Sequence, residues 1–109
     1  MTVSSLASLI NARSINLSEP DRKVTSGYAG DFLSFVMGKA PSDCVWFTVM
    51  NNVNVCAVAT LAEVSAVVLC EGVQPDENLL NKVKTQNVNL LVTDLDIYSA
   101  AVRVSGELK

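Results

Sequence analysis

The sequence lacks histidine altogether, and only 17% of its 109 residues are charged and 6% aromatic. Without histidine, no side chain has an ordinary pKa near neutrality, and no serine or cysteine stands beside an obvious general base. A nucleophilic triad is therefore excluded. Zinc and iron–sulfur sites are disfavoured as well, because three scattered cysteines do not have the spacing that these sites need. We expect a protein that is not an enzyme and that carries no cofactor.

The chain also has only a small excess of negative over positive charge. Lysine and arginine number 8 and aspartate and glutamate number 11, which gives a net charge of −3. No clustered basic stretch could neutralise a row of phosphates, so we expect no binding to nucleic acid. The N-terminus lacks the features of a signal peptide, and no apolar run approaches the roughly 18 to 20 residues that span a bilayer. We expect a cytoplasmic protein without membrane contact.

The three cysteines, Cys44, Cys56 and Cys70, are odd in number and widely spaced among apolar neighbours. This arrangement favours buried free thiols over disulfides. Half of all residues are hydrophobic, which is enough for one compact domain spanning residues 1–109.

The chain from Cys44 onward alternates between β-prone runs and helical spacing. The runs at residues 44–49, 66–70 and 89–93 are apolar on both faces, as expected for parallel strands that are covered on each side. Helices are predicted after Pro75 and from Ile97, with Asp94 or Asp96 as the cap of the latter. Residues 53–62 fit a strand or a helix, and we choose a helix because parallel strands need a crossover. The pattern predicts an α/β fold with a mainly parallel sheet.

The first part of the chain is predicted to contain a helix, two extended pieces and a glycine loop. Val3, Leu6, Ala7 and Ile10 form a helical stripe. Extended segments at residues 14–17 and 23–26 follow, separated by a turn. The second leads into a loop at residues 27–31, where Gly27 and Gly30 permit backbone angles that side chains forbid. Asp31 is expected to cap a helix over residues 31–37 that Gly38 and Pro41 end.

The loop at residues 27–31 is neither a P-loop nor a dinucleotide fingerprint, because it lacks the residues that define them. Tyr28 either contacts a ligand or partner, or packs over the glycine turn. Trp46 is expected in the core rather than as a stacking platform.

Polar residues follow each predicted parallel strand, and ligands of open α/β sheets bind beyond such strand ends. The same residue types are preferred helix caps, so a domain that binds nothing would carry them too. Carboxylates at helix starts are ordinary, and we expect no metal site. The candidate ligand-binding residues are Gly27, Tyr28, Gly30, Asp31, Asn54 and Asp94.

Residues 24–37 resemble the core of the DRTGG domain family, through the pattern Gly27-Tyr28-x-Gly30-Asp31-x-Leu33-Ser34-x-Val36-Met37. Later blocks at residues 46–49, 54–59 and 66–69 follow the order and spacing of that family. The literal Asp-Arg-Thr-Gly-Gly string is absent. The resemblance implies a three-layer α/β/α sandwich, similar to the N-terminal domains of HPr kinase and of Mur ligases. It implies no catalytic residue.

Domains of this family usually accompany catalytic or sensor modules, so the resemblance implies a regulatory role. We expect a stand-alone module that senses a small nucleotide-like molecule, forms a homodimer and acts in trans on a metabolic or signalling enzyme. The alternative is a purely structural interaction subunit of a larger complex, with no ligand of its own. A helix face carrying Phe32, Phe35 or Val104 would then be intermolecular.

Overall fold

The computed structural model describes residues 1–108, which form five helices and five strands. The helices are α1 (Val3–Leu9), α2 (Leu33–Lys39), α3 (Asn54–Ala62), α4 (Glu77–Gln86) and α5 (Ile97–Glu107). The strands are β1 (Arg13–Asn16), β2 (Ser26–Ala29), β3 (Cys44–Thr48), β4 (Ala66–Leu69) and β5 (Leu90–Val92).

The strands form a single sheet in the order β1-β5-β4-β3-β2. Strands β2 to β5 are parallel to one another, and β1 pairs antiparallel with β5. The mainly parallel sheet is therefore confirmed. Because parallel strands end at the same edge of a sheet, the segments after β2, β3, β4 and β5 share one rim, which we call the carboxyl rim.

Hydrophobic cores lie on both faces of the sheet, which confirms the three-layer arrangement. One core packs α2, α3 and α4 against Trp46 and Leu90, and the other packs α1 and α5 against Phe47 and Leu91. All five residues of β3 are buried, so its apolar run follows from contact with helices on both sides. Trp46 is fully buried and belongs to the core, as predicted.

The predicted helices of the second half are confirmed. Residues 54–62 are helical, and the flanking strands β3 and β4 are parallel, as the crossover argument requires. Asp76 caps α4 by accepting a hydrogen bond from Leu79 N at 2.8 Å. Asp96, rather than Asp94, caps α5 by accepting from Ser99 N at 2.6 Å.

The glycine loop was predicted wrongly. Gly27 and Tyr28 lie within strand β2, which covers residues 26–29 instead of 23–26. Among the glycines of residues 1–108, only Gly72 has a positive φ, so neither Gly27 nor Gly30 uses a backbone conformation reserved for glycine. The chain at this point is an extended edge strand and not a turn.

The start and end of α2 also differ from the prediction. The helix begins at Leu33, its N-cap is Phe32, and no side chain caps it. It continues through Gly38 to Lys39, so Gly38 does not end it. Asp31 is therefore not a helix cap.

The two ends of the described chain meet on one face of the sheet. Helix α1 packs in the same core as α5. Thr93, directly after β5, donates its hydroxyl to the Ile10 carbonyl at 2.8 Å, across 83 positions of sequence.

Among residues 1–108, none of the helices has both the length and the apolar content that crossing a membrane requires.

Candidate functional site

The side chain of Asp31 joins the ends of β2 and β3. Its Oδ1 atom accepts hydrogen bonds from Thr48 Oγ1 at 2.7 Å and from Val49 N at 3.0 Å. Thr48 is fully buried, and its hydroxyl oxygen also accepts from Met50 N at 3.2 Å. Asp31 thus has a structural role in which one of its oxygens is already occupied, although the residue as a whole is exposed.

Two aromatic residues contact Gly30, one through a hydrogen bond and one through packing. Trp46 donates its indole N–H to the Gly30 carbonyl at 2.9 Å, which satisfies the polar group of a buried ring. A Cβ atom at Gly30 would lie 3.4 Å from Cε2 of Tyr28, so the Tyr28 ring covers this position closely. Tyr28 is half-buried and packs against the same core as Trp46. The packing alternative therefore describes Tyr28 in this structure.

The loops after β3 and β4 are held by their own hydrogen bonds. Asn51 donates from Nδ2 to the Gln74 carbonyl at 2.8 Å, and Asn52 Oδ1 accepts from Asn54 N at 2.9 Å. These amides hold the loops, but neither caps a helix, since the N-cap of α3 is Val53 and has no side-chain cap hydrogen bond. Asn54 itself is exposed and is the first residue of α3.

The loop after β5 carries Asp94, which is exposed at the carboxyl rim. It lies next to Gly72, where a Cβ atom would be 3.0 Å from Asp94 Oδ1. Gly72 has a φ of +68°, a conformation that L side chains rarely adopt. The close approach of Asp94 and the backbone angle both explain why glycine occupies position 72.

The six predicted site residues do not enclose one small pocket. Asp31 follows β2 and Asp94 follows β5, and these strands are three positions apart in the sheet. With roughly 4.8 Å between neighbouring strands, the two residues lie about 14 Å apart across the rim. Asn54 stands between them, at the helix that follows β3. Gly27 and Tyr28 lie on the edge strand, below the rim.

The carboxyl rim is acidic. Burial, together with the nearby carboxylates of Glu71, Asp96 and Asp31, raises the pKa of the Cys70 thiol to about 12. No lysine or arginine occurs anywhere between residues 44 and 81, so the loops after β3 and β4 supply no compensating cation. Within residues 1–108, no group of three or more potential ligand side chains is arranged to hold a metal ion.

The cysteines are free and buried, as predicted. Burial raises the pKa of Cys44 to about 11 and also raises that of Cys56. Because the thiolate is the nucleophilic form, these cysteines are poor nucleophiles near neutral pH.

Two grooves lie away from the carboxyl rim. A polar groove of about 460 Å³ lies beside the C-terminal ends of α3 and α4, at the ends of the strands opposite the carboxyl rim. Arg22 lines it and donates to the Glu63 carbonyl at 2.9 Å and to Asp43 Oδ1 at 3.2 Å. This groove could not be predicted from the sequence, because no motif marks the place where two helix ends and a turn meet.

A second groove of about 430 Å³ runs between β2 and α5 and is mostly apolar. Gly27 and Tyr28 line it, together with residues of α5 such as Ala101 and Val104. It is therefore the groove that contains two of the predicted site residues. Their position on the edge strand, rather than in a loop, places them there.

Two exposed aromatic side chains lie next to each other at the start of α2. Phe32 is 62% exposed and Phe35 is 53% exposed, with ring centroids 4.8 Å apart in an edge-to-face arrangement. The Lys39 ammonium lies 4.8 Å from the centre of the Phe35 ring. Val104, which we expected on an intermolecular face, is instead 1% exposed, because it packs in the core between α5 and the sheet.

Comparison with known proteins identifies both a family and a structural relative. The model of the DRTGG domain matches residues 35–106. No curated protein matches the sequence significantly. The fold is similar to that of the CBS and DRTGG domains of the regulatory region of Clostridium perfringens pyrophosphatase, in complex with its activator, diadenosine tetraphosphate. The TM-score is 0.75 at 13% sequence identity, over 94% of this chain and 45% of that one. This chain thus spans less than half the length of that relative.

Proposed function

Because the chain belongs to the DRTGG domain family, we propose that it is a non-catalytic regulatory module that senses a small nucleotide-like molecule. The module self-associates and acts in trans on a metabolic or signalling enzyme in the cytoplasm. The family match over residues 35–106 is the observation that carries this proposal. A relative with the same fold, which belongs to the regulatory region of an enzyme and is complexed with a nucleotide activator, supports it.

The chemistry of the chain agrees with a role that is not catalytic. The sequence has no histidine, and the thiols are buried in their protonated form. The carboxylate of Asp31 is bonded to Thr48 and Val49, and the Thr48 hydroxyl beside it is fully buried and so out of reach of a substrate. General acid–base chemistry near neutral pH would need a group with a suitable pKa in an accessible place.

We place the ligand at the carboxyl rim, against Gly30, Asp31, Asn54 and Asp94. The rim is acidic, so phosphate groups would be repelled there unless a cation accompanied them. The groups that suit the rim are hydroxyl, amide and base edges, which carboxylate and amide side chains can bind. We therefore propose that the nucleoside part of the ligand contacts the rim and that its phosphates point toward solvent.

Thermal denaturation with a nucleotide panel tests ligand sensing. Adenosine, AMP, diadenosine tetraphosphate and a uridine diphosphate sugar are each added at millimolar concentration, with and without Mg²⁺. A ligand at about 100 times its Kd stabilises the folded state by about 2.7 kcal/mol. For a domain of this size, that corresponds to a rise in Tm of roughly 10 °C or more. If no member of the panel raises Tm, the ligand proposal is wrong.

Matched variants test the location of the ligand. Asn54→Ala removes an exposed amide at the rim, and Asn81→Ala removes an exposed amide in the middle of α4. Similarly, Asp94→Asn alters the rim, whereas Asp21→Asn alters an exposed turn elsewhere. We expect the two rim variants to weaken binding about tenfold, as the loss of a charged or polar contact does. Equal effects of the rim and control variants would refute the placement.

The alternative is an interaction subunit without a ligand, which the exposed pair Phe32 and Phe35 favours. Two exposed aromatic rings next to each other are typical of a protein contact. Under this alternative, Phe35→Ser abolishes co-purification of an enzyme from native extract, and no nucleotide shifts Tm. Under the main proposal, the nucleotide shifts Tm in the Phe35→Ser variant as well.

A further inference from the structure

The two carboxylate oxygens of Asp31 differ in what is left for a ligand to bind. Oδ1 accepts hydrogen bonds from Thr48 Oγ1 at 2.7 Å and from Val49 N at 3.0 Å. A carboxylate oxygen has two lone pairs, so these two donors fill Oδ1. No hydrogen bond or ion pair from residues 1–108 reaches Oδ2, and Asp31 as a whole is exposed. The side chain therefore offers the carboxyl rim a single acceptor atom.

The Thr48 hydroxyl has a fixed direction. It accepts a hydrogen bond from Met50 N at 3.2 Å, so its single proton is donated to Asp31. The distance of 2.7 Å is typical of a hydroxyl that donates to a carboxylate. Thr48 is fully buried, so water does not compete for this hydroxyl. The hydroxyl thus determines which oxygen of Asp31 is occupied and which is free.

The groups that hold Asp31 belong to the sheet. Thr48 is the last residue of β3 and is paired with Leu69 of β4. Its β-branched side chain has little rotational freedom. The residue before Asp31 is held as well, because Gly30 N donates to the Phe47 carbonyl at 3.1 Å. The free oxygen is therefore held by the rigid part of the fold, as a selective contact requires.

The charges around Asp31 favour a ligand group that donates. The carboxylates of Asp31, Glu71 and Asp96 all lie near Cys70, whose thiol pKa they raise together with burial. No lysine or arginine occurs between residues 44 and 81 to offset them. An ionised carboxylate accepts hydrogen bonds and cannot donate them. A carbonyl oxygen facing Oδ2 would be repelled, whereas an N–H group would be bound.

We propose that Asp31 selects the base of the ligand by accepting one hydrogen bond at Oδ2 from an exocyclic amino group, and that Thr48 is the positioning residue that keeps this oxygen free. The inference rests on the proposed function, in which the nucleoside part of the ligand contacts the rim. The ribose hydroxyls form an adjacent pair, and guanine presents two adjacent donors, so each suits a carboxylate with both oxygens available. A single oxygen suits the amino group of adenine or cytosine, which lies beside a ring acceptor.

Adenosine and purine riboside form a matched pair of probes, because purine riboside has a hydrogen atom in place of the amino group. We expect adenosine to bind about tenfold more tightly. This is the lower end of the loss expected for a hydrogen bond to a charged group, since Asp31 is exposed. Isothermal titration calorimetry on the full chain measures both Kd values.

Asp31→Asn tests the role of the free oxygen. The variant keeps an oxygen acceptor for Thr48 and Val49, and it replaces the free oxygen with an amide that donates. The preference for adenosine over purine riboside should disappear. Inosine, which has a carbonyl oxygen in place of the amino group, should bind the variant more tightly than it binds the native chain. The control Asp21→Asn makes the same change in net charge in an exposed turn and should leave the preference intact.

Thr48→Val and Thr48→Ser test the positioning role. Valine removes one of the two donors to Oδ1, so the carboxylate can turn and its free oxygen is no longer fixed. The preference for adenosine should fall about threefold, as expected for two residues in contact. Serine keeps the hydroxyl and should keep the preference. A merely structural role for Thr48 would weaken both nucleosides equally and leave their ratio unchanged.

Equal affinity of the native chain for adenosine and purine riboside overturns the inference, and so does an Asp31→Asn variant that retains the preference. A Thr48→Val variant that folds and retains the preference overturns the role of Thr48. If nucleosides bind without this preference, ligand sensing stands and the inference alone fails. If no nucleoside binds, ligand sensing and the inference both fail.

Discussion

The substitution Asp31→Ala is expected to lower the free energy of unfolding by about 2 kcal/mol. It removes the acceptor of two hydrogen bonds, from Thr48 Oγ1 at 2.7 Å and from Val49 N at 3.0 Å. Hydrogen bonds to charged groups contribute about 1.5 to 3 kcal/mol each, and exposure of Asp31 places them at or below the lower end of this range. The Thr48 hydroxyl, which is fully buried, also loses its acceptor.

Two further variants separate the hydrogen bonds from the charge. Asp31→Asn keeps an oxygen acceptor and removes the charge, so it should cost less than about 1 kcal/mol. Thr48→Val removes the buried hydroxyl at nearly constant volume and should cost about 1 to 2 kcal/mol, in part because Met50 N loses its acceptor. The double variant Asp31→Ala, Thr48→Val should show a coupling energy of about 1 kcal/mol.

Urea denaturation followed by the fluorescence of Trp46, the single and fully buried tryptophan, measures these differences. All variants are compared at one low protein concentration, so that association does not contribute. A loss of 2 kcal/mol corresponds to a fall in Tm of roughly 10 °C for a domain of this size. Costs that add to within about 0.5 kcal/mol would refute the link between Asp31 and Thr48. So would an Asp31→Asn variant as unstable as Asp31→Ala.

Two further predictions concern the thiols and a glycine. Burial raises the pKa of Cys44 and Cys70 from 9.0 to about 11 and about 12, so the folded state keeps these protons where the unfolded chain loses them. The contribution of these thiols to the free energy of unfolding is complete below pH 9 and falls as the pH rises above it. At pH 10.5 the loss is about 2 kcal/mol per thiol. Urea titrations at pH 8 and 10.5 should show a smaller loss in Cys70→Ala, and equal losses would contradict this account. Gly72→Ala should cost about 1 to 2 kcal/mol, because of its φ of +68° and the close Asp94 carboxylate. Gly106→Ala, in open space within α5, should instead stabilise by about 0.5 to 1 kcal/mol, and a shared sign would contradict the strain argument.

The core strands could be predicted from the sequence because each is buried on both faces. Strands β3, β4 and β5 have unbroken apolar runs at the predicted places. The helix at residues 54–62, which the pattern left ambiguous, followed from the need for a crossover between parallel strands. For these elements, local pattern and topology point to the same structure.

The edge strand β2 could not be placed in the same way. It reads Ser-Gly-Tyr-Ala and has no apolar run, because one of its sides faces solvent and its pairing with β3 uses the backbone. Glycines in such a stretch resemble a turn. Asp31 was misinterpreted for a related reason, since the groups that bind it, Thr48 and Val49, lie 17 and 18 residues later. A local sequence pattern does not show that residues distant in the chain will bind a side chain in place of the nearby helix N-terminus.

The candidate site was predictable in part. The polar residues that follow the strands do lie along the carboxyl rim, as the rule for parallel sheets requires. Their spread over about 14 Å depends on the strand order, which places β2 and β5 three strands apart. The two grooves depend on how helix ends and the edge strand pack, and no residue pattern records that.

The hydrogen bond from Thr93 to Ile10 has a consequence for synthesis of the chain. Helix α1 leaves the ribosome early, yet the strand to which it is fastened follows 83 residues later. At a rate of synthesis of about 5 to 20 residues per second, roughly 4 to 17 seconds separate the synthesis of α1 from that of β5. During that interval Val3, Leu6 and Ile10 lack most of the core that later buries them. The nascent chain therefore exposes an apolar stripe that the finished domain buries.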